Sequence, residues 1–528
     1  MTRLTSATAL GLILTVSPAL ADATPQSVWE RLSGYYTNLG MTVETSAIED
    51  NGATLTVRGL KMSQQLPEDD QVVFSMGDMV FSDNGDGSVT VDMADESTLD
   101  VTFTAPDESS IHPGEEDSAE AMPADGVDAK TERVAMHMTM RNPGETITVR
   151  EDGEALIYDY NFPTTEITID KIAPVEGDGQ VLENPAVVTV TDTKGGQTML
   201  SSEEQTKITQ NATMAEIKVA FDVQNDEDQS KAIGEVLVEG LEFSGEMDMP
   251  GKFDMGKDMG AAVKAGMAAS GKMKAANMAV KMDAEGEGED GAMQKFALDS
   301  KTADMTVDFN LNADQVRYAV AAGTVSVEAT LPDLPVPVGY GANGISAEIA
   351  MPITAKPEAQ PFRFAYKLEG VELNDSVWAM FDPTAALPRE PASLNVDIDG
   401  AAKVEMDLFD PAIAESIEAP FTVESIKINH ADLSAIGAVL TVTGDLAAPQ
   451  GGDLAEQPVG AIHARVAGLQ GALDKLVAAG IIPQEQAMAP MMMLGMFAKP
   501  VEGETDVMAS DIEFKENGQI LANGQRVK

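Results

Sequence analysis

Few residues of this chain have the types and spacing that perform chemistry. Its 528 residues include no cysteine, so neither a thiol nucleophile nor a disulfide is available, and no GxSxG nucleophile elbow occurs. The four histidines lack the spacing of a metal motif such as HExxH; they are His112, His137, His430 and His463. With 87 acidic residues, close carboxylate pairs arise by chance. We therefore expect a protein that is not an enzyme and that has no cofactor and no metal.

Three glycine-rich stretches match ligand-binding loops in spelling only. In "GEGEDG" (286–291) the acidic side chains would repel the pyrophosphate of a dinucleotide. In "GMAASGKM" (266–273), Met273 stands where a phosphate-binding loop needs Ser or Thr to hold magnesium. In "SDNGDG" (82–87), Ser82 and Met93 occupy positions that are acidic in a calcium loop. We interpret the first and the third stretch as hairpin turns.

The charge balance excludes some partners. The formal net charge is −53 at pH 7. Nucleic-acid binding needs a basic surface that displaces counterions from phosphates, so nucleic acid is not an expected partner. General electrostatic adhesion to anionic membranes is disfavoured for the same reason.

The first 21 residues predict export. Arg3, an apolar core from Leu10 to Val16 and the small-residue site Ala19-Leu20-Ala21 form the pattern of a cleaved signal peptide, with cleavage after Ala21. This core is far shorter than the roughly 20 residues that span a bilayer. The most apolar later stretch, 487–498, is also too short. We expect a periplasmic protein without a transmembrane segment in the mature chain.

Alternating apolar and polar residues dominate the rest of the chain and predict strands with one dry face. Such runs lie at 52–62, 215–223, 234–243, 362–373 and 394–408. Helical spacing is rarer and is found at 25–39, 254–266, 411–419, 468–479 and 484–497. The predicted fold is mainly β, a long curved antiparallel sheet (a groove, half-barrel or sandwich) with a few short helices, mostly near the C-terminus. We expect two β-rich halves, 22–250 and 251–528.

Three glycines mark a change of phase in these alternating runs. Apolar residues fall on one parity before Gly59, Gly240 and Gly370 and on the other parity after them. A strand can keep one apolar face past such a change if a β-bulge absorbs a residue, and glycine with positive φ forms bulges readily. The alternative is that each glycine ends one strand and begins another.

The dry face of the predicted sheet lacks an obvious cover, because the expected helices are few and a sheet must bury its apolar face. A second sheet or an apolar ligand could cover it. The closing stretch "SDIEFKENGQILANGQR" (510–526) predicts a terminal hairpin around Asn517-Gly518 that completes the sheet.

Three blocks carry a resemblance to a known family: residues 373–411, 471–500 and 510–526. They look like an uncharacterised alphaproteobacterial exported family, catalogued as a domain of unknown function. The Gly-terminated strands, the "GALDKLVAAG" helix and the closing "ANGQ" are also similar to AsmA-type envelope proteins. That second resemblance implies transport of lipid along a β-groove, although fold alone does not establish function.

Two groups of residues are candidates for a ligand surface or a lid. Trp378 and Phe381 lie on a short helix or turn that Asp382 ends, and Arg389 is close enough in sequence to pair with Asp382. The 484–497 helix is apolar nearly all round, which predicts burial; its candidate residues are Met488, Met492, Met496 and Phe497. An architectural corner and simple core filling are the alternative roles for these two groups.

The resulting hypothesis is a non-enzymatic periplasmic protein that holds or passes a lipid-like molecule in an apolar β-groove. The alternative is a structural or assembly partner of another cell-envelope protein, docked through its acidic face and a sheet edge. A hydrolase ranks third, because no nucleophile motif is found.

Overall fold

The structure is a computed structural model, and it describes residues 22–66, 70–106, 131–176, 180–202, 204–225, 229–251, 259–288, 291–332, 334–410, 413, 420–449 and 452–528. The signal peptide expected at 1–21 lies outside the described residues. So do the first part of the helix expected at 254–266 and all but one residue of the helix expected at 411–419.

The described residues form 27 strands and five helices. The helices are α1 Pro25–Asn38, α2 Met259–Lys264, α3 Asp375–Phe381, α4 Leu469–Ala478 and α5 Gln484–Phe497. The first strands are β1 Thr42–Glu44, β2 Ala47–Asp50, β3 Thr54–Gln65, β4 Gln71–Asp83, β5 Ser88–Met93, β6 Glu96–Pro106, β7 Thr131–Arg141, β8 Thr146–Asp152, β9 Ala155–Pro174, β10 Leu182–Ser201, β11 Gln205–Asn225, β12 Ser230–Pro250, β13 Ala268–Glu287 and β14 Met293–Leu311. The remaining strands are β15 Gln315–Ala322, β16 Val325–Thr330, β17 Val338–Ala342, β18 Gly344–Pro352, β19 Gln360–Leu373, β20 Ala392–Val404, β21 Phe421–Ala435, β22 Ala438–Ala447, β23 Val459–Ala467, β24 Lys499–Pro500, β25 Val507–Phe514, β26 Ile520–Ala522 and β27 Gln525–Arg526.

These strands belong to one antiparallel sheet, in which most strands pair with the next strand of the chain. The predicted fold class is therefore confirmed. The expected division after residue 250 falls between β12 and β13, which pair along most of their length, so the sheet runs through it without a break. At the C-terminus, β25 pairs with β26 and β26 pairs with β27, so the predicted terminal hairpin is confirmed.

The meander splits twice in the same way. β4 pairs with both β5 and β6, β5 pairs with β8, β6 pairs with β7, and β9 receives both β7 and β8. Further along, β14 pairs with both β15 and β16, β15 pairs with β18, β16 pairs with β17, and β19 receives both β17 and β18. At each split, two short strands that lie end to end take the place of one long strand. This occurs at two successive positions in the strand order.

A line of backbone irregularity, which we call the crease, crosses the sheet from β3 to β19 and passes through both splits. Its residues with positive φ are Gly59 (+57°), Gly77 (+72°), Asp192 (+51°), Gly240 (+62°), Asp304 (+52°) and Gly370 (+63°). In β9 the crease lies at Pro163, between the pairs that join Phe162 to Thr193 and Thr164 to Thr191. Proline has no N–H to donate, so it fits a point where the ladder is interrupted.

On the two sides of the crease, the apolar residues of a strand fall on opposite parities. The pairing register between neighbouring strands is nevertheless kept along most of the crease. In β14, Leu298 is apolar before the crease and Val307 after it, on opposite parities. Across β12 and β13, the pairs Glu239–Asn277 and Glu242–Lys274 are three residues apart on each strand, so the register is kept. Gly370 differs, because β19 has one more residue there than its partner β20 and forms a bulge.

The sheet has one apolar and one charged face, because directly paired residues form rows across the strands and side chains alternate between faces. One row of the apolar face contains Met273, Val307, Val320, Ala347, Tyr366, Val396, Ala431, Val442, Ala464 and Ser510. A row of the charged face contains Asn310, Arg317, Ala350, Arg363, Asp399, Lys427 and Asp445.

The main hydrophobic core lies under α1, at the N-terminal end of the sheet. Thr24 begins this helix with a capping box, in which Thr24 and Ser27 each accept the backbone N–H of the other. Val28 and Trp29 of α1 pack in this core with Leu55, Val57, Phe81, Val89, Val149 and Leu156 of the sheet. Val28 and these six sheet residues are fully buried.

Candidate functional site

A cavity of about 760 Å³ lies between α1 and the apolar face of the sheet. Leu60 of β3 and Phe309 of β14 both line it. These strands are nine steps apart in the sheet, so at about 4.8 Å per step a flat sheet would separate them by roughly 40 Å. The sheet therefore curls around α1. The volume falls in the range of roughly 300–1,000 Å³ that is typical of ligand pockets.

The lining of this first cavity is mostly apolar, with a short polar row on its floor. Tyr158, Gln197 and Gln210 are paired directly across β9, β10 and β11, and all three line the cavity. The Tyr158 hydroxyl is buried and has no hydrogen-bond partner among the described residues. Burial raises the pKa of Tyr158 well above its usual value, so this hydroxyl stays protonated and can donate a hydrogen bond.

A second apolar cavity, of about 380 Å³, lies at the other end of the sheet, under α4 and α5. Its lining includes Leu469, Leu473 and Leu476 of α4 and Leu494 of α5. The sheet contributes residues of β21, β22, β23 and β25, namely Leu433, Leu440, Ala464, Val466, Met508 and Ser510.

One row of paired residues joins the two cavities. Met273 and Val307 line the first cavity and Ala464 and Ser510 line the second, and all four belong to the apolar-face row described above. Both cavities therefore open on the same face. Between them, α2 packs through Val263 against Leu311 of β14 and Val316 of β15. The row adjacent to the shared one exposes large apolar side chains: Phe309 (36% exposed), Tyr318 (45%), Ile349 (44%) and Phe364 (43%). We call this stretch, from β14 to β20, the open section.

The structure places the first group of predicted residues at a packed corner. Trp378 is buried in α3 and contacts the Phe381 ring at a centroid distance of 5.0 Å. Arg389 stacks over Trp378 at 5.6 Å and donates to Asp375 at 2.6 Å. It acts on Asp382 through its charge, but its hydrogen-bonded ion pair is with Asp375 rather than with Asp382. The fully buried Asp382 instead accepts the backbone N–H groups of Ala386 and Leu387.

Because those backbone donors stabilise the carboxylate against the desolvation of burial, the pKa of Asp382 is lowered. The geometry of this corner is that of a structural support for the loop between α3 and β20.

The second group lies on α5, where the expectation of complete burial is wrong. Met488, Met492 and Met496 are 56%, 75% and 67% exposed, on one side of the helix. Phe497 is half-buried, and Leu494 and Ala498 line the second cavity. Periodicity could not show this, because a helix that is apolar all round gives no sign of which side meets the sheet.

Sequence reasoning missed both the continuous crease and the polar row. The crease had a signal in the phase change within β14, but Asp304 stands where glycine was sought. Tyr158, Gln197 and Gln210 lie on three strands and meet only through the pairing register, so no local pattern reveals them.

The described residues also bear on metal binding and on membrane-spanning helices. Within the part of the chain that the structure describes, no cluster of three or more His, Asp or Glu side chains is arranged to hold a metal ion. None of the described helices is both long and apolar enough to cross a bilayer.

Comparison with known proteins gives one relationship. No curated protein and no solved structure matches the chain. A family model described as "Uncharacterized protein conserved in bacteria (DUF2125)" matches residues 250–523, from the end of β12 to the terminal hairpin. The match covers just over half of the sequence, including the open section and the second cavity. The chain therefore belongs to the DUF2125 family of bacterial proteins.

Proposed function

We propose that this protein holds or passes a lipid-like molecule along the apolar face of its sheet, without catalysing a reaction. The observation that carries the proposal is a row of mostly apolar residues that joins two helix-covered cavities and lies beside a row of exposed large apolar side chains. The proposed compartment is the periplasm, because residues 1–21 have the pattern of a signal peptide.

The open section supplies the driving force for binding. Large exposed apolar patches on soluble proteins mark interaction sites, and burial of apolar surface contributes about 25 cal/mol per Å². An acyl chain lying along Phe309, Tyr318, Ile349 and Phe364 would remove their exposed surface from water. Contacts of this kind are non-directional, so a chain can move from one cavity towards the other without losing them at any single step.

The contacts of the charged face also favour placing the ligand on the apolar face. Its rows carry side chains of both signs, and Arg363 on β19 donates to Asp397 and Asp399 on β20 at 2.9–3.0 Å. On this face Arg363 is held by neighbouring carboxylates. The ligand surface is therefore assigned to the apolar face alone.

Photo-cross-linking tests this assignment with a matched pair of positions. A benzophenone side chain at Ile349 would lie on the apolar face, and one at the next residue, Ala350, would lie on the charged face of the same strand. In cells that export the protein, we expect lipid adducts at position 349 and few at position 350, identified by mass spectrometry.

Two outcomes would contradict the proposal. A defined protein adduct at position 349 would favour the alternative of an assembly partner that covers the face. Equal lipid labelling at both positions would show contact with membranes in general rather than a groove. Organic extracts of gently purified protein should also contain an amphiphile in a reproducible ratio to the protein.

A further inference from the structure

The polar row in the first cavity is the most unusual feature of the apolar face. On one side of it, Leu156, Met199, Ile208 and Met247 form an apolar row, and on the other side Tyr160, Gly195, Ala212 and Phe243 form another. Tyr158, Gln197 and Gln210 lie between these rows. Three polar side chains thus stand side by side on the floor of a cavity whose lining is mostly apolar.

None of the three polar groups has a partner in the described part of the protein. The Tyr158 hydroxyl is buried and unpaired, and no hydrogen bond of the Gln197 or Gln210 amide is formed within the described residues. The neighbouring Tyr160 shows the contrast, because its hydroxyl donates to the Asn211 carbonyl at 3.2 Å. Buried polar groups are nearly always paired in proteins, so the unpaired Tyr158 hydroxyl, beside the half-buried Gln197 and Gln210, has the character of a site prepared for a ligand group.

The hydrogen-bonding groups of the polar row indicate which group of a ligand it would bind. It offers the Tyr158 O–H and two amide NH₂ groups as donors, which suits a carbonyl oxygen. No charged side chain belongs to the row. The two charged residues that line the cavity, Glu246 and Lys272, have opposite signs, and Lys272 lies 3.8 Å from the Asp308 carboxylate.

Arg31 of α1 acts electrostatically on Tyr158, but it is already held by the Glu151 carboxylate at 3.8 Å and donates to the Glu154 carbonyl. A carboxylate placed on the row would therefore be buried without a cation of its own, which is costly. An uncharged carbonyl loses much less on leaving water and gains the donors. We propose that the first cavity recognises the ester carbonyl at the head of an acyl chain through Tyr158, Gln197 and Gln210. This inference rests on the function proposed above and names the class of ligand: an acyl ester such as a glycerolipid, rather than a free fatty acid.

The position of the row also orients the ligand. The same row continues through Gly245 and Gly271 to Phe309, and then to Tyr318 and Ile349 of the open section. An acyl chain whose carbonyl is held at Tyr158 would point along this row, from the cavity under α1 towards the uncovered part of the face.

Three single-chain probes test the inference on the full-length mature protein: 1-palmitoylglycerol, its ether analogue 1-O-hexadecylglycerol, which lacks the carbonyl, and palmitate at neutral pH. Binding is measured by displacement of a fluorescent apolar dye. We expect the ester to bind roughly tenfold more tightly than the ether, the effect of about one well-placed hydrogen bond, and palmitate to bind more weakly than the ester.

The variants Tyr158→Phe and Gln197→Leu/Gln210→Leu should abolish the preference for ester over ether while keeping the affinity for the ether. Tyr158→Phe keeps the ring and removes an unpaired buried hydroxyl, so its unfolding temperature, followed by Trp29 fluorescence, should stay equal to the wild type or rise. This separates loss of recognition from loss of folding.

Each other outcome is decisive. Equal affinity of the wild type for ester and ether, or a preference that survives in both variants, overturns the carbonyl site but leaves the groove in place. Tighter binding of palmitate than of the ester overturns the assignment of an uncharged group. No binding of any of the three probes contradicts the proposed function itself.

Discussion

The end of the sheet under α1 and the open section are built from the same alternating pattern but are completed differently. Under α1, Leu55, Val57 and Phe81 are fully buried. In the open section, Tyr318 and Ile349 occupy equivalent face positions and are more than 40% exposed. Leu55, Val57 and Phe81 pack with Val28 and Trp29 of α1, whereas Tyr318 and Ile349 belong to neither buried cluster of the described residues. The exposed apolar face is therefore available for a partner molecule, as the proposed function requires.

The two regions also differ in what holds them together. The α1 end has a large core, whereas the open section has a smaller buried cluster around Val263, Leu311 and Ile353, long backbone ladders and polar contacts across the charged face. Arg363 pairs with Glu348, Asp397 and Asp399, and Asn429 donates to the same two aspartates at 2.9 and 2.6 Å. A charge-assisted network of this kind holds neighbouring strands in register without covering the apolar side.

The largest expected contrast comes from removing one phenylalanine in each region. Phe81→Ala should destabilise the α1 end by about 3–5 kcal/mol, because it leaves a cavity in a packed core. Phe364→Ala, the matched control in the open section, should cost less than about 1 kcal/mol, because its side chain is 43% exposed. Urea unfolding followed by Trp29 fluorescence measures both.

Trp29 lies beside Phe81, with ring centroids 6.0 Å apart, and the chain has two tryptophans, so a Trp378→Phe background isolates the signal. Similar costs for the two alanine variants would show that the open section is packed as a core, and the comparison would fail. A large loss of lipid binding in Phe364→Ala at unchanged stability would sharpen it.

How much of this contrast the sequence predicts depends on the distance over which each feature is encoded. Alternation and turn residues are local, so the strands, α5 and the terminal hairpin were predictable. Whether a strand's apolar face is covered is not local: Leu55 and Ile349 stand in similar runs, but Leu55 is buried in the cluster under α1 and Ile349 is exposed. The polar row could be predicted only from the pairing register of three strands, which cannot be read from the sequence.

The crease was predicted from the sequence only in part. Positive φ was expected at glycine, and Gly240 has it, but Asp192 and Asp304 adopt it too. Aspartate tolerates the left-handed region better than most residues because its short side chain bonds locally. Searching for the phase change itself, rather than for glycine, would have found the crease in β14 as well.

A second, smaller effect tests whether the crease is required where the α1 end meets the open section. Asp304→Val should destabilise the protein by about 1–2 kcal/mol, because a β-branched residue is strained at φ +52°. Asp304→Gly should stay within about 0.5 kcal/mol of the wild type, because glycine adopts this φ without strain. Asp299→Val, on the same strand outside the crease, is the control and should be nearly neutral, since valine suits a strand. Equal costs at 304 and 299 would contradict the assigned backbone conformation.

The smallest expected effect is the loss of stability at low pH, which should differ between the open section and the α1 end. Hydrogen bonds from Asn429 and then from Arg363 lower the pKa of Asp397 and of Asp399 below the ordinary 3.8. A carboxyl whose pKa is lowered by folding contributes stability that is present above its unfolded pKa and is lost as the pH falls through the folded one. The open section should therefore lose stability below about pH 4, while the apolar core under α1 is insensitive to this titration.

Asn429→Ala removes the largest cause of both shifts, so the pKa of each aspartate should rise towards 3.8 and the acid transition of the open section should move to higher pH. The cost at neutral pH should be less than about 1 kcal/mol, because the network is partly exposed and screened by solvent. Trp378, in α3 beside the open section, and Trp29, under α1, report the two regions separately in single-tryptophan backgrounds. Asn395→Ala, on the strand that carries both aspartates, should leave both signals unchanged. If Asn429→Ala shifts the Trp29 and Trp378 transitions together, the two regions unfold as one unit, and the open section owes its stability to the core rather than to its charged face.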